Sequence, residues 1–250
     1  MTERLKRSGS MSPVTDPSAL WNFDDPAGSE QRFRTAAETA EGTDRLVLMT
    51  QVARALGLQE KYDEGHALLD QLAVDDVAVA TRASLERGRL LRSAGAPDQA
   101  RPHFEAAAAT AVGAGLEALH VDALHMLALV AAPGQALEAH HAALAWAKAA
   151  TDPAARDWDA SLLNNIGMTH ADAGDWGAAL AAFEEALEAR ERIGDAGRTR
   201  VARWMVGWAL RNLGHRGAAL AVQTALKAEL DAAGEADPYV DEELALLDGS

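Results

Sequence analysis

The sequence predicts an all-α chain built from repeated helix hairpins, and three observations predict it. First, the composition is 48% hydrophobic but only 5% aromatic, with alanine taking a very large share. Alanine is the best helix former and the smallest side chain that still packs, so helix axes can approach closely. Second, prolines and glycines fall as punctuation between helix-length segments. Third, two small residues recur twelve positions apart: Ala53 and Gly65, Gly88 and Ala100, Gly167 and Ala179, Gly207 and Ala219. With a turn between them, such a pair places one small residue on each of two antiparallel helices where they cross, which permits interaxial distances of about 8–10 Å.

In chain order, residues 1–25 carry Ser12, Pro13, Asp16, Pro17 and Ser18 without a helical period. They are expected to form a disordered tail. A helical body of about twelve helices is expected over 26–250. Pro26, Pro97, Pro133, Pro153 and Pro238 each stand where a helix can begin, because a missing N–H is harmless in the first turn. Gly42, Gly95, Gly174 and Gly214 stand where helices should stop. Pro102 falls inside the segment 97–112 and predicts a kink or a late helix start. Residues 28–41 read as an N-terminal capping helix that packs through Phe33, Ala36 and Ala40. Residues 237–248 read as a C-terminal cap, apolar through Leu244, Leu246 and Leu247 and acidic through Asp241, Glu242 and Glu243.

Between the caps, large residues flank each small pair in a shared register. The fullest copy runs Gly167, His170, Gly174, Trp176, Ala179-Leu180, Phe183 and Ala186-Leu187. The next follows with Val206-Gly207, Leu210, Gly214, Ala219-Leu220 and Leu226. Earlier copies read Val52-Ala53, Leu56, Tyr62, Gly65, Leu69 and Gly88, Leu91, Gly95, Ala100, Phe104, Ala107. The middle copy departs: Ala136, Ala143 and Leu144 fit a second helix, but Leu124 replaces the small residue twelve positions before. This pattern resembles the tetratricopeptide repeat, whose signature is W-x2-L-G-x2-Y, then A-x3-F-x2-A, then P. The resemblance implies a right-handed superhelical α-solenoid over 26–250, with about five hairpins at 44–74, 76–113, 115–150, 154–192 and 196–234. Second-helix small residues stand unevenly at 65, 100, 136, 179 and 219, against a family period of about 34, and the consensus proline is absent from most repeats.

The formal charge is −15 and the pI about 4.9. A field of that sign repels phosphate backbones and anionic lipid, so neither nucleic acid nor a membrane surface is expected as a partner. There is no cysteine, no signal-peptide h-region and no stretch of about 18 apolar residues. A cytoplasmic protein is expected, and the four lysines and two isoleucines suggest a GC-rich bacterial genome. No HExxH, P-loop, GxGxxG or GxSxG motif is present, so neither a cofactor nor an enzyme activity is expected. His120, His125, His140 and His141 cluster in the divergent repeat; packing or surface roles are favoured over metal binding, because 120 and 125 point apart on a helix.

The resemblance also implies where a ligand would lie, since in this family the first helix of each repeat lines a concave groove. By register, the groove positions are Thr50, Gln51, Arg54 and Gly57; Leu85, Glu86, Arg89 and Arg92; Asn164, Asn165, Met168 and Ala171; and Trp204, Met205, Trp208 and Arg211. Asp122 and Met126 come from the divergent repeat, and Arg82 lies one turn earlier on the second. The expected partner-binding set is Arg54, Arg82, Arg89, Arg92, Asn164, Asn165, Met168, Trp204, Trp208 and Arg211. Arginine forks match carboxylates, and aromatics and Met supply adaptable apolar contact, so the expected ligand is an acidic, partly apolar protein or peptide segment. Asn165 matches one clamp asparagine of chaperone-binding relatives, but Val201 and Met205 stand where that clamp needs Lys and Arg. A chaperone-tail clamp is therefore rejected. A scaffold or adaptor is favoured over a ligand-sensing regulator, for which 25 N-terminal residues are too short to form an effector module, and over a metal-dependent enzyme. The acidic segment Asp237–Asp248 is a candidate to occupy the basic groove itself. The ends of a solenoid can stack, so a homodimer stays open.

Overall fold

The computed structural model describes residues 17–73 and 75–249; the first 16 residues of the expected tail lie outside them. Among the described residues every element is helical, and the chain divides into two compact units, 1–107 and 108–250.

In the first unit a 3-10 turn, Pro17–Leu20, precedes α1 (Pro26–Thr39), α2 (Gly42–Leu58), α3 (Tyr62–Asp70), α4 (Val77–Ser93) and the start of α5 (Pro97–Gly113). Pro26 opens α1 behind an Asp25 side chain that accepts from the Gly28 N–H. Asp76 likewise caps α4 by accepting from Ala78 and Val79. Residues 17–25, expected as part of the tail, pack on the helices. Trp21 packs edge-on against the fully buried Phe33, ring centroids 4.9 Å apart, and joins the core of Phe33, Ala37, Leu48, Val52 and Leu56. The hydroxyl of Ser29 donates to the Asn22 carbonyl and accepts from the Asn22 N–H. One large aromatic side chain offsets the disorder that the flanking Ser, Pro and Asp favour. Gly42 begins α2, with φ 55°, instead of ending α1. Pro102 produces no late start: α5 begins at Pro97 and runs through it.

The second unit holds the rest of α5, then α6 (Glu117–Leu129), α7 (Pro133–Ala149), the single turn α8 (Pro153–Arg156), α9 (Asp159–Asp172), α10 (Trp176–Ile193), α11 (Ala196–Asn212), α12 (Arg216–Ala233) and α13 (Pro238–Asp248). Helices α6 and α7, α9 and α10, and α11 and α12 pack as sequential pairs. The long step between the divergent repeat and the next is filled by α8, whose Ala155 is buried in the core with Leu144, Leu162 and Ile166. Glu117 fixes the approach to α8 by accepting from the Thr151 N–H and hydroxyl and from the Asp152 N–H. The backbone hydrogen bond from Asp152 is the largest influence on this carboxyl and holds it below the usual carboxylate range.

The small residues have a specific packing reason. A Cβ added at Gly167 would lie 2.6 Å from Cδ1 of the fully buried Phe183, and one added at Gly88 would lie 2.7 Å from Cδ1 of Phe104. In both hairpins an aromatic ring sixteen residues on lies directly on the backbone of the first helix. The same spacing runs from Gly207 to Gln223 and from Leu124 to His140, so a polar residue replaces the ring in two hairpins. Both are buried, and His140 Nδ1 and Gln223 Oε1 have no hydrogen-bond partner. At 207 the glycine is still required, because an added Cβ would lie 2.6 Å from Gln223 Nε2.

Burial, with a smaller contribution from His141, pushes the His140 pKa below its ordinary value of 6.5. The unfolded chain therefore binds the proton more readily than the folded one. Stability from neutral His140 is fully present above the unfolded pKa and is lost as pH falls through the lower folded value. His140→Leu is expected to reduce the fall in thermal midpoint between pH 7.5 and pH 5, measured by calorimetry.

Candidate functional site

The predicted residues of the first unit are largely engaged internally. On α2, Thr50 and Gln51 are buried instead of lining an open face. The Thr50 hydroxyl donates to the Val47 carbonyl, and Gln51 Oε1 accepts from the Trp21 indole N–H at 3.1 Å. Arg54 lies over both Trp21 and Phe23, 5.6 and 5.7 Å from the ring centroids, so the segment before α1 covers this position. On α4, Leu85 and Glu86 are buried, and Arg89 pairs with Glu86 at 2.5 Å with both side chains largely shielded. Such a pair presents little net charge. Arg82 is half-buried and Arg92 exposed on the same helix. Arg54 and Arg89 thus each meet a group of this unit: the segment before α1 folds over Arg54, and Glu86, three residues earlier on the same helix, pairs with Arg89.

In the second unit three first helices, α6, α9 and α11, carry the remaining set. Asp122 and Met126 on α6 are buried, which corrects their assignment to an open face. His125 links α6 to α9: the Asn165 amide donates to its Nε2 at 2.8 Å, and its ring lies 5.1 Å from that of Trp158 and 6.2 Å from that of His140. Asn164, Asn165 and Met168 are half-buried on α9. Met168, Met205 and Trp208 pack against the core formed by Ala171, Ala179, Phe183, Val206 and Ala209. Trp208 meets Trp176 edge-on at 4.8 Å and stacks with Trp204 at 5.9 Å, and Trp204 meets Tyr239 at 6.1 Å. Polar amides on α9 therefore lie alongside a methionine and tryptophan row on α9 and α11, partly exposed and held on rigid helices.

At the end of the unit Arg211 is already occupied. Its Nε and Nη2 donate to the two carboxylate oxygens of Glu243 at 2.7 and 2.8 Å, and this bond to Glu243 raises the guanidinium pKa above its usual value. The Trp204 indole donates to the Tyr239 carbonyl at 3.1 Å. The acidic C-terminal helix lies against the predicted Trp204 and Arg211, a contact that the charge pattern had suggested.

Three surface cavities lie in the second unit. One of about 340 Å³ is lined by Leu187, Arg203 and Val222 among others. A second, of about 200 Å³, lies beside Trp146 and His120, whose Nδ1 is 3.0 Å from the Ala108 carbonyl oxygen. The third, of about 660 Å³, lies among Lys148, Arg156 and Arg192. None of these three is lined by Asn165, Met168 or Trp208. Among the described residues no three His, Asp or Glu side chains converge as metal ligands, and no helix is long and apolar enough to cross a membrane.

The model of the family described as Tetratricopeptide repeat matches residues 158–225, the segment that carries α9, α10, α11 and the first part of α12. No curated protein sequence matches the chain. Among solved structures, BtubC (BKLC) from P. vanneervenii is 17% identical at a TM-score of 0.57, covering 90% of this chain and 94% of that one. The apo quorum sensor NprR from B. thuringiensis is 16% identical at 0.60, covering 93% and 64%. The apo form of RapI is 10% identical at 0.56, covering 93% and 91%. These identities establish likeness of fold. The segment 158–225 thus matches the tetratricopeptide-repeat model, and the glycine-on-ring packing and repeated helix pairs agree with the tetratricopeptide-type fold of these solved structures.

Proposed function

We propose that this protein is a non-catalytic binder of a protein or peptide segment, and that the segment lies along the first-helix row of the second unit. The supporting observation is the row itself. Asn164 and Asn165 offer amide donors and acceptors suited to an extended or helical backbone, while Met168 and Trp208 offer adaptable apolar surface. Rigid helices hold all four, which limits the ordering cost of binding. On the first unit the exposed Arg92 is by itself a candidate contact for acidic side chains; Arg54, Arg89 and Arg211 serve the fold first. The ligand class is an acidic segment with large apolar residues. A sensing role is the second reading, favoured by likeness to NprR, which is also seen in complex with its cognate peptide NprX.

Selection of peptides from a random library on the immobilised full chain tests the proposal. Selected peptides are expected to be enriched in Asp, Glu and large apolar residues, and to bind at least about tenfold more weakly to Met168→Glu. Leu220→Glu, at an exposed position on α12, should leave binding unchanged. Equal binding to wild type and Met168→Glu would remove the row from the site.

A further inference from the structure

The contacts of α13 describe a recognition site more specific than an end cap requires. The segment 237–248 carries five carboxylates, Asp237, Asp241, Glu242, Glu243 and Asp248, and no basic residue. Its acceptor, on α11 and α12, answers with cations in a chain whose net charge is −15. Three sets of donors are spaced along the helix. At its first turn the Trp204 indole donates to the Tyr239 carbonyl. At its middle the Arg211 fork takes both oxygens of Glu243, which is almost fully buried. At its end Arg216 Nη2 donates to the Leu246 and Leu247 carbonyls, at 3.2 and 2.6 Å. Lys227 adds a contact to Asp241 at 3.3 Å. Between these donors Val240 and Leu244 pack on Leu226, Leu230 and Val222.

Each donor reads a different property. Arg216 reads the free carbonyls of a helix C-terminus. The bidentate fork reads one carboxylate in a fixed place. The apolar strip reads the spacing of Val240, Leu244 and Leu247, four and three residues apart on one helical face. An eleven-residue helix is marginal in isolation, so α13 is helical because this face holds it. Its other face reaches solvent: Leu246 is more than half exposed. It hangs from α12 by the non-helical residues 235–237, after Gly234 at φ 69°.

We propose that the α11–α12 face is a binding site for an acidic amphipathic helix of a partner protein, and that α13 is its replaceable internal occupant. The partner helix carries Val or Leu, Glu and Leu in the spacing of Val240, Glu243 and Leu247 and ends at Arg216. Binding requires that α13 leave, so this helix sets the threshold for the ligand. This identifies one partner segment more closely and rests on the proposed peptide-binding role. It involves Arg211 and Arg216, whereas the row on α9 involves Met168, so the two can fail separately.

The probe is a fluorescein-labelled synthetic peptide of residues 237–249, added to the full chain and followed by anisotropy. Leu244→Ala/Leu247→Ala, which loosens the internal helix, is expected to bind the peptide at least tenfold more tightly than wild type. Adding Arg211→Glu to that variant should weaken binding at least tenfold, while Glu184→Gln, at an exposed position on α10, leaves it unchanged. Peptide binding no tighter in the loosened variant than in wild type overturns the proposal. Hydrogen exchange on the unaltered protein supplies a second reading that needs no variant. Amides of 240–247 are expected to exchange at least tenfold faster than those of 204–212. Equal protection would make α13 a fixed part of the core and would also overturn the proposal.

Discussion

Gly167→Val is expected to lower the thermal midpoint of the second unit by roughly 6–12 °C, a loss of about 3 kcal/mol or more. The cause is steric. Phe183 is fully buried, and a Cβ at 167 would already fall within 2.6 Å of its ring. Valine adds two further carbons, and the ring has no exposed side toward which to turn. Gly217→Ala supplies the opposite sign. Nothing lies within 4 Å of a Cβ there, so the change removes backbone freedom from the unfolded chain and should stabilise by up to about 1 kcal/mol. Calorimetry on both variants separates close packing from helix propensity. A neutral Gly167→Val would mean that the glycine-on-ring contact does not hold the hairpin.

Arg211→Glu should release α13 while the rest of the second unit stays folded. It leaves Glu243 almost fully buried without its cation and places a second carboxylate beside it. Removing one partner of a buried pair costs about 3–5 kcal/mol. Because α13 packs on α11 and α12, that cost is limited by the free energy with which it docks there. Cleavage after Glu242 or Glu243 by a glutamate-specific protease should accelerate roughly hundredfold, the factor that about 3 kcal/mol allows. Far-UV circular dichroism should lose only the contribution of one short helix. Unchanged cleavage would show that the apolar strip of Val240, Leu244 and Leu247 holds the helix without the ion pair.

Much of this architecture was legible because it rests on spacing. The small residues at 88 and 100, 167 and 179, and 207 and 219 are separated by the geometry of a helix pair, and Pro133, Pro153 and Pro238 open helices as their missing N–H groups allow. The burial of His140 was also within reach, since the sixteen-residue step from 88 to 104 and 167 to 183 lands on 140 when started from 124. Reading the histidines as packing or surface residues makes no use of that step. What the sequence did not reveal was long-range cover. Trp21 reaches Gln51 and Arg54 from outside the repeated pattern, and Glu86 neutralises Arg89 on its own helix. A register rule assigns positions to a face but does not tell which of them another segment will occupy. Arg54, Arg89 and Arg211, expected as partner contacts, each meet a group of this chain.

Site-specific photo-crosslinking tests the central claim, that a partner segment lies along the first-helix row of the second unit. A benzophenone side chain is placed at 168 on α9 or, as a control, at the exposed position 184 on α10, and the crosslinked residues are identified by mass spectrometry. The predicted result is a discrete adduct from position 168 to a protein segment rich in Asp, Glu and large apolar residues, with none from 184. An adduct formed from 184 and not from 168 would contradict the account.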